Sequence, residues 1–77
     1  MYKIRFEGPA ALAVGVATAL ADADGVDLTS SAPPTILNDD TVELNLSADG
    51  PRESVAAAVA GIGKRLPTGA SIEIVNG

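Results

Sequence analysis

The stretch Thr41–Leu46 constrains the fold of this chain most, because its side chains alternate cleanly between apolar and polar. A period of two is typical of a β-strand with one buried and one solvated face. The segment after it, from Pro51 to Arg65, predicts a helix with one apolar stripe. The inward strand residues are Val42, Leu44 and Leu46, and the helix stripe is Val55, Val59, Ile62 and Leu66.

The first third of the chain repeats this order of strand and helix. Tyr2–Glu7 alternates in the same way, with Tyr2, Ile4 and Phe6 predicted to face inward. Gly8-Pro9 ends that strand, and a proline suits the first turn of a helix because its missing N–H would be unpaired there. Ala10–Ala23 is the predicted first helix, with an apolar stripe of Leu12, Val16, Ala19, Leu20 and Ala23.

Two further strands complete the predicted sheet. Val26–Leu37 is predicted as an edge strand with an interruption, because Pro33-Pro34 removes two hydrogen-bond donors from the ladder. Ser71–Val75 is the predicted last strand, with Ile72 and Ile74 facing the core.

The resulting order of strand, helix, strand, strand, helix, strand predicts an α+β fold, the ferredoxin-like βαββαβ sandwich. We expect residues 1–77 to form a single domain: a four-stranded antiparallel sheet in the order 4-1-3-2 with both helices on one face. The alternative is a pair of strand–helix–strand units that pair with each other only in a dimer.

Composition excludes several classes of function. The 77 residues include no Cys and no His, so thiolate metal sites, disulfides and a histidine-based catalytic triad are all absent. A formal net charge of −5 argues against a nucleic-acid partner, because phosphate binding depends on clustered Lys and Arg. No apolar run approaches the roughly 20 residues that span a bilayer. We therefore expect a cytoplasmic protein with no membrane partner.

The face of the sheet opposite the helices is the predicted protein interface. It should carry Lys3 and Arg5 opposite glutamates of the neighbouring strands, while both aromatic residues of the chain face inward and cannot stack on bases. The last strand contains no Pro or Lys to prevent edge pairing, so a second copy could extend the sheet. A simply solvated face is the alternative. The candidate interface residues are Lys3, Arg5, Glu43, Asn45, Glu73 and Val75.

Two segments superficially suggest ligand sites. Asp22–Asp27 has the acids of a calcium loop, but its glycine falls at position 4 instead of 6, so a helix end and turn explain it better. Gly61–Arg65 has the composition of a phosphate loop but lies at the end of a helix instead of its start. We predict no catalytic residues, no metal and no cofactor, and hence no enzyme.

The segment Glu7–Ala13, continued by Ala19–Asp22 and Gly25–Leu28, resembles the opening of an ACT domain. That family shares the predicted topology, and its members often bind amino acids at the first strand–helix junction and pair through sheets or helices. The resemblance implies a small-metabolite site at Gly8, Ala10 and Leu12, although Ala10 stands where the family has the glycine that admits the ligand.

Two functions follow from these patterns. The first is a non-catalytic protein-interaction or adaptor domain that acts through its sheet face or edge strand and associates with itself or with another protein. The second is an ACT-like sensor of an amino acid or similar metabolite. Rows of small residues on both helices could also form a flat docking surface, although Ala is simply the best helix former. These rows are Ala13, Ala17 and Ala21, and Ala57 with Gly61.

Overall fold

The computed structural model describes residues 1–76, which form two helices and five strands. The strands are β1 (Tyr2–Pro9), β2 (Asp27–Ser31), β3 (Thr35–Ile36), β4 (Thr41–Asp49) and β5 (Ser71–Asn76). The helices are α1 (Ala10–Asp22) and α2 (Arg52–Arg65).

β1 and β4 form the centre of an antiparallel sheet. They pair along their whole length, from Tyr2 opposite Ala48 to Pro9 opposite Thr41. β4 is longer than predicted, because its alternation continues past Leu46 to a buried Ala48. β1 likewise includes Pro9, which we predicted to lie in the first helical turn and which instead precedes the helix as its cap residue.

The sheet has five strands, in the order β2-β4-β1-β5 with β3 also beside β4. The predicted sheet of four strands in the order 4-1-3-2 is therefore wrong in its strand count. The difference lies in the predicted second strand, which Pro33-Pro34 divide into β2 and β3. Both pieces pair antiparallel with β4, and a bulge at Thr29 shifts the register of β2.

Both helices cover the same face of this sheet. α2 buries the predicted Val55, Val59 and Ile62, and Leu66 is half-buried against them. In α1 the buried residues are Ala13, Val16 and Leu20, so the predicted stripe is displaced towards Ala13, while Leu12, Ala19 and Ala23 are half-buried around it. α1 also contacts α2, so the two helices form one layer.

A single hydrophobic core fills the space between helices and sheet. Phe6 is fully buried at its centre, and Tyr2 packs partly buried at its margin, so both aromatic side chains lie on the helix side. Within residues 1–76 every buried side-chain nitrogen and oxygen has a hydrogen-bond partner. A core made almost entirely of aliphatic side chains therefore stabilises the domain, with no polar network inside it.

This α+β architecture, with two helices against one face of an antiparallel sheet, is compatible with a ferredoxin-like sandwich. Neither helix in residues 1–76 has the length and hydrophobicity that a membrane span requires.

Candidate functional site

The open face of the sheet, opposite the helices, contains all six candidate interface residues. Arg5 occupies its centre on β1 and lies directly opposite Asn45 on β4 and Glu73 on β5. These positions follow from the pleat, because residues paired across antiparallel strands point to the same face. Ile4 and Phe6 are buried on the other side, which leaves Lys3 and Arg5 on the open one.

Arg5 is held by the carboxylates around it. Its Nη2 donates a 2.5 Å hydrogen bond to Glu73 Oε1, and its Nε lies 3.7 Å from Glu7 Oε1. The hydrogen bond and charge of Glu73 raise the pKa of Arg5 above its usual value, with Glu7 and Glu43 adding to the effect. Arg5 therefore remains charged and offset by acids, so it is poorly suited to capture an anion.

The position of Arg5 also explains why two glutamates can stand opposite each other on neighbouring strands. Glu7 and Glu43 stand directly opposite each other, an arrangement of like charges that is destabilising by itself. Arg5 lies beside both. Asn45 Nδ2 donates to Glu43 Oε1 at 3.2 Å, which further fixes that carboxylate.

Lys3 is exposed and, unlike Arg5, makes no ion pair among the described residues. The prediction that Lys3 also faces a glutamate is wrong, because its partner on β4 is Ser47. A partner protein with a hydrophobic surface would bury this ammonium unpaired, at a high cost in free energy. A polar partner would supply a hydrogen-bond acceptor for it.

A shallow groove of about 320 Å³, here called the sheet groove, crosses the open face beside Lys3. It reaches from β2 across β4 and β1 to β5, and it includes three of the six candidate residues, Lys3, Asn45 and Val75. Its remaining surface lining comes from residues that the sequence analysis did not select, namely Ser30, Ala32 and Ser47. Small hydroxyl side chains give no chemical signal in a sequence, so only the register of β2 against β4 reveals them.

Val75 belongs to the groove because of an irregularity in β5. Lys3 pairs with Asn76 whereas Ile4 pairs with Ile74, so Val75 is an extra residue in a bulge. Its side chain is 54% exposed. In the ladder of residues 1–76, β5 pairs only with β1, so its other edge is open from Ser71 to Ile74. The open edge and the sheet groove are adjacent through Val75.

The three residues implied by the ACT resemblance are not brought together around one cavity. Gly8 is buried, and a Cβ there would approach Ala70 Cβ to 2.8 Å and Phe6 Cζ to 2.9 Å. The amide of Ala10 donates to the Asp40 carbonyl at 3.3 Å. Leu12 lines a separate groove between α1 and α2. Metabolite sensing stays a prediction.

No group of three or more His, Cys, Asp or Glu side chains in residues 1–76 is arranged to hold a metal ion. What the geometry offers chemically is a rigid array of hydrogen-bond donors and acceptors.

The comparisons with known proteins do not identify a family: no protein-family model matches the chain, and no curated protein matches it either.

Proposed function

We propose that this chain is a non-catalytic adaptor domain, a ferredoxin-like sandwich that binds a partner protein through its sheet groove and the adjoining edge of β5 and that also self-associates. The observation that supports the partner site is the sheet groove itself. Its lining combines an ammonium without an ion pair among the described residues, an amide, hydroxyls and an exposed Val75, side by side on four paired strands.

The chemistry of the groove indicates the kind of partner segment that it fits. Lys3 requires a hydrogen-bond acceptor on the partner, either a carboxylate or a backbone carbonyl oxygen. Val75, on the strand next to Lys3, requires an apolar side chain of the partner. An extended segment that pairs with the edge from Ser71 to Ile74 would place such groups over the groove, because alternate residues of an added strand point to the same face. Main-chain hydrogen bonds would then provide affinity, and Lys3 and Val75 would provide specificity.

Affinity capture from the native host, followed by mass spectrometry, tests this proposal. Wild-type domain should capture a partner that Lys3→Glu and Val75→Asp each lose, because one reverses a charge and the other puts a carboxylate into an apolar contact. Both residues are exposed, so neither variant should lower the melting temperature by more than a few degrees.

A matched control is Ala56→Glu on the exposed side of α2, which should capture the partner as wild type does. Equal capture by wild type and both groove variants would contradict the proposed site. If backbone amide signals of Gly8, Ala10 and Leu12 alone shift on addition of an amino acid, the metabolite-sensing alternative is favoured instead.

A further inference from the structure

The outer surface of α1 is unusually apolar for a helix surface that faces water. α1 carries one charged side chain, Asp22, at its very end. An amphipathic helix normally has polar residues opposite its buried stripe. At 3.6 residues per turn the positions opposite the buried Ala13, Val16 and Leu20 carry small or apolar residues and Thr18, until Asp22 at the end of the helix. With small exposed residues of α2 they form what we call the helix surface, and Glu53 and Lys64 lie on the same side of α2 at its two ends. The helix surface is Ala11, Val14, Gly15, Thr18, Ala57 and Gly61, all exposed.

Abundant alanine alone would not indicate a binding surface, but two neighbouring residues on it are unusual for an exposed helix position, although Val14 borders a groove beside Pro33 and Pro34 and Gly15 borders one beside α2. Val14 is 76% exposed, and a β-branched residue is no better than average in a helix. Gly15 weakens a helix by about 1 kcal/mol relative to Ala. A Cβ at Gly15 or at Gly61 would meet nothing within 4 Å, so neither glycine makes room for its own chain.

The charged side chains that border the helix layer at its two ends have opposite sign, while Asp39 and Asp40 lie in the turn before β4 beside the start of α1. At the end where α1 stops and α2 starts, Asp24 and Glu53 line one groove between the helices, and Asp22 lies close by in sequence. At the opposite end a groove of about 210 Å³, floored by Leu12 and Ile62, is bordered by Arg65, with Lys64 beside it. Arg52 and the N-terminal ammonium, which pairs with Asp49, also lie at the acidic end, where the acids outnumber them.

We infer that a second copy of this chain packs on the helix surface, across a two-fold axis that lies in the interface and runs perpendicular to the helices. That axis places the helices of the two copies antiparallel, so the basic end of each copy covers the acidic end of the other. A two-fold axis parallel to the helices would instead bring like charges together. The charge pattern therefore selects both the occupant and its orientation.

The size of the helix surface sets the strength of the dimer. Helices of 13 and 14 residues are about 20 Å long, and neighbouring helices lie about 8–10 Å apart. The footprint is therefore on the order of 400 Å² per copy, about half of what a standard specific interface buries on each partner, so the dimer is a weak and transient one. We expect a reversible dimer with a micromolar dissociation constant. The inference shares with the proposed function only the claim of self-association, since the sheet groove lies on the other side of the molecule.

Analytical ultracentrifugation across a range of concentrations tests the dimer. Thr18→Glu and Gly61→Glu each bury a charge twice in a symmetric interface and should raise the dissociation constant about tenfold or more. Both monomers should stay folded, because both side chains point into open solvent. Gly61→Glu should even melt higher, since it replaces a helical glycine and stands four residues before Arg65. Val75→Asp, on the sheet side, is the control and should dimerise normally.

Charge reversal tests the orientation. Arg65→Glu and Glu53→Arg should each weaken self-association about threefold to tenfold, and mixing the two variants in equal amounts should restore it, because each reversed end then meets its opposite. A monomeric wild type at all concentrations would overturn the inference. So would a dimer that survives Thr18→Glu and Gly61→Glu, or one that Val75→Asp dissociates. Failure to rescue on mixing would overturn the antiparallel arrangement.

Discussion

At the scale of single residues, this small domain depends on a few positions where another residue type would not fit the surrounding backbone or charges. Gly50 is one of them. Its φ is +139°, and a Cβ there would overlap the carbonyl oxygen of Gly25, because the turn before α2 lies against the turn before β2. Two connections that are 25 residues apart in sequence are thus packed backbone to backbone.

Replacement of Gly50 by Ala should therefore destabilise the domain by more than about 2 kcal/mol, since the substitution adds both backbone strain and a steric overlap. Urea denaturation monitored by circular dichroism measures the change. Gly63→Ala is the matched control: its Cβ would make an ordinary 3.6 Å contact with Ile72, so the helical alanine should be neutral or stabilise by up to about 1 kcal/mol. Equal effects of the two variants would show that the turn packing is wrong.

Arg5 is a second such residue, although it is exposed. We expect Arg5→Gln to lower the melting temperature because it leaves Glu7, Glu43 and Glu73 close together without their cation. Salt screens repulsion between exposed charges, so the loss should shrink as ionic strength rises from about 0.05 M to 1 M. Lys3→Gln, one pleat away and without an ion pair among the described residues, should change the melting temperature little.

The pH dependence of this contribution follows from the raised pKa of Arg5. A cation whose pKa is higher in the folded state contributes stability that is complete below its unfolded pKa and is lost only as pH rises through its folded pKa. Both pKa values lie far above the neutral range, because a guanidinium keeps its proton there and the folded pKa is raised further. Arg5 does not lose its proton between about pH 6 and 9, so the difference in stability between wild type and Arg5→Gln should be constant over that interval. A difference that vanished within this interval would mean that Arg5 makes no such ion pair.

At the scale of the elements, periodicity carried most of the information that sequence reasoning could use. The alternation in β1 and β4 and the apolar stripe of α2 predict those elements, and they also place Arg5 opposite Glu73. Alanine has no such signal, because it suits a buried and an exposed helix position equally well, and the burial of Ala13 was missed for that reason.

The segment between Val26 and Asp40 shows why the rest could not be predicted. Pro33-Pro34 indicate an interruption, yet whether the chain resumes as a separate strand depends on long-range pairing with β4. The bulges at Thr29 and Val75 likewise depend on the register between two strands, which the sequence of one strand does not determine. The shape of the sheet groove depends on the registers of three strand pairs, so it could not be predicted from the sequence. Half of its surface residues, Lys3, Asn45 and Val75, could be.

The strands should also differ in local stability. β3 consists of two residues, both exposed, that pair with β4 at one end of the sheet. β4 is paired on both sides and buries every second side chain. Amide hydrogen exchange followed by NMR should therefore be on the order of a hundredfold faster or more at Thr35 and Ile36 than at Leu44 and Leu46. Equal protection would indicate that β3 is an integral part of the sheet.

At the scale of the whole molecule, 77 residues with no disulfide have little stability to lose. A domain of this size is stable by about 4–12 kcal/mol. The core lies between the sheet and the helices, so packing of the helix layer provides much of that stability. In our inference the outer side of the same layer is the site of self-association. The sheet face is then left to bind the partner, and the two surfaces can be altered separately.

The contrast between the covered centre of the sheet and its uncovered end at β3 is testable with the same substitution made at two positions. Ile4 is 1% exposed in the core and Ile36 is 77% exposed on β3. Ile4→Ala should cost about 2–5 kcal/mol, because it removes buried methylene and methyl groups and leaves a cavity, and could unfold much of the protein at 37 °C. Ile36→Ala should change the free energy of unfolding by less than about 0.5 kcal/mol. Both should be measured by urea denaturation at one protein concentration, since dimerisation would make stability depend on concentration. Comparable losses at the two positions would mean that β3 is covered in solution by something that a single copy does not supply.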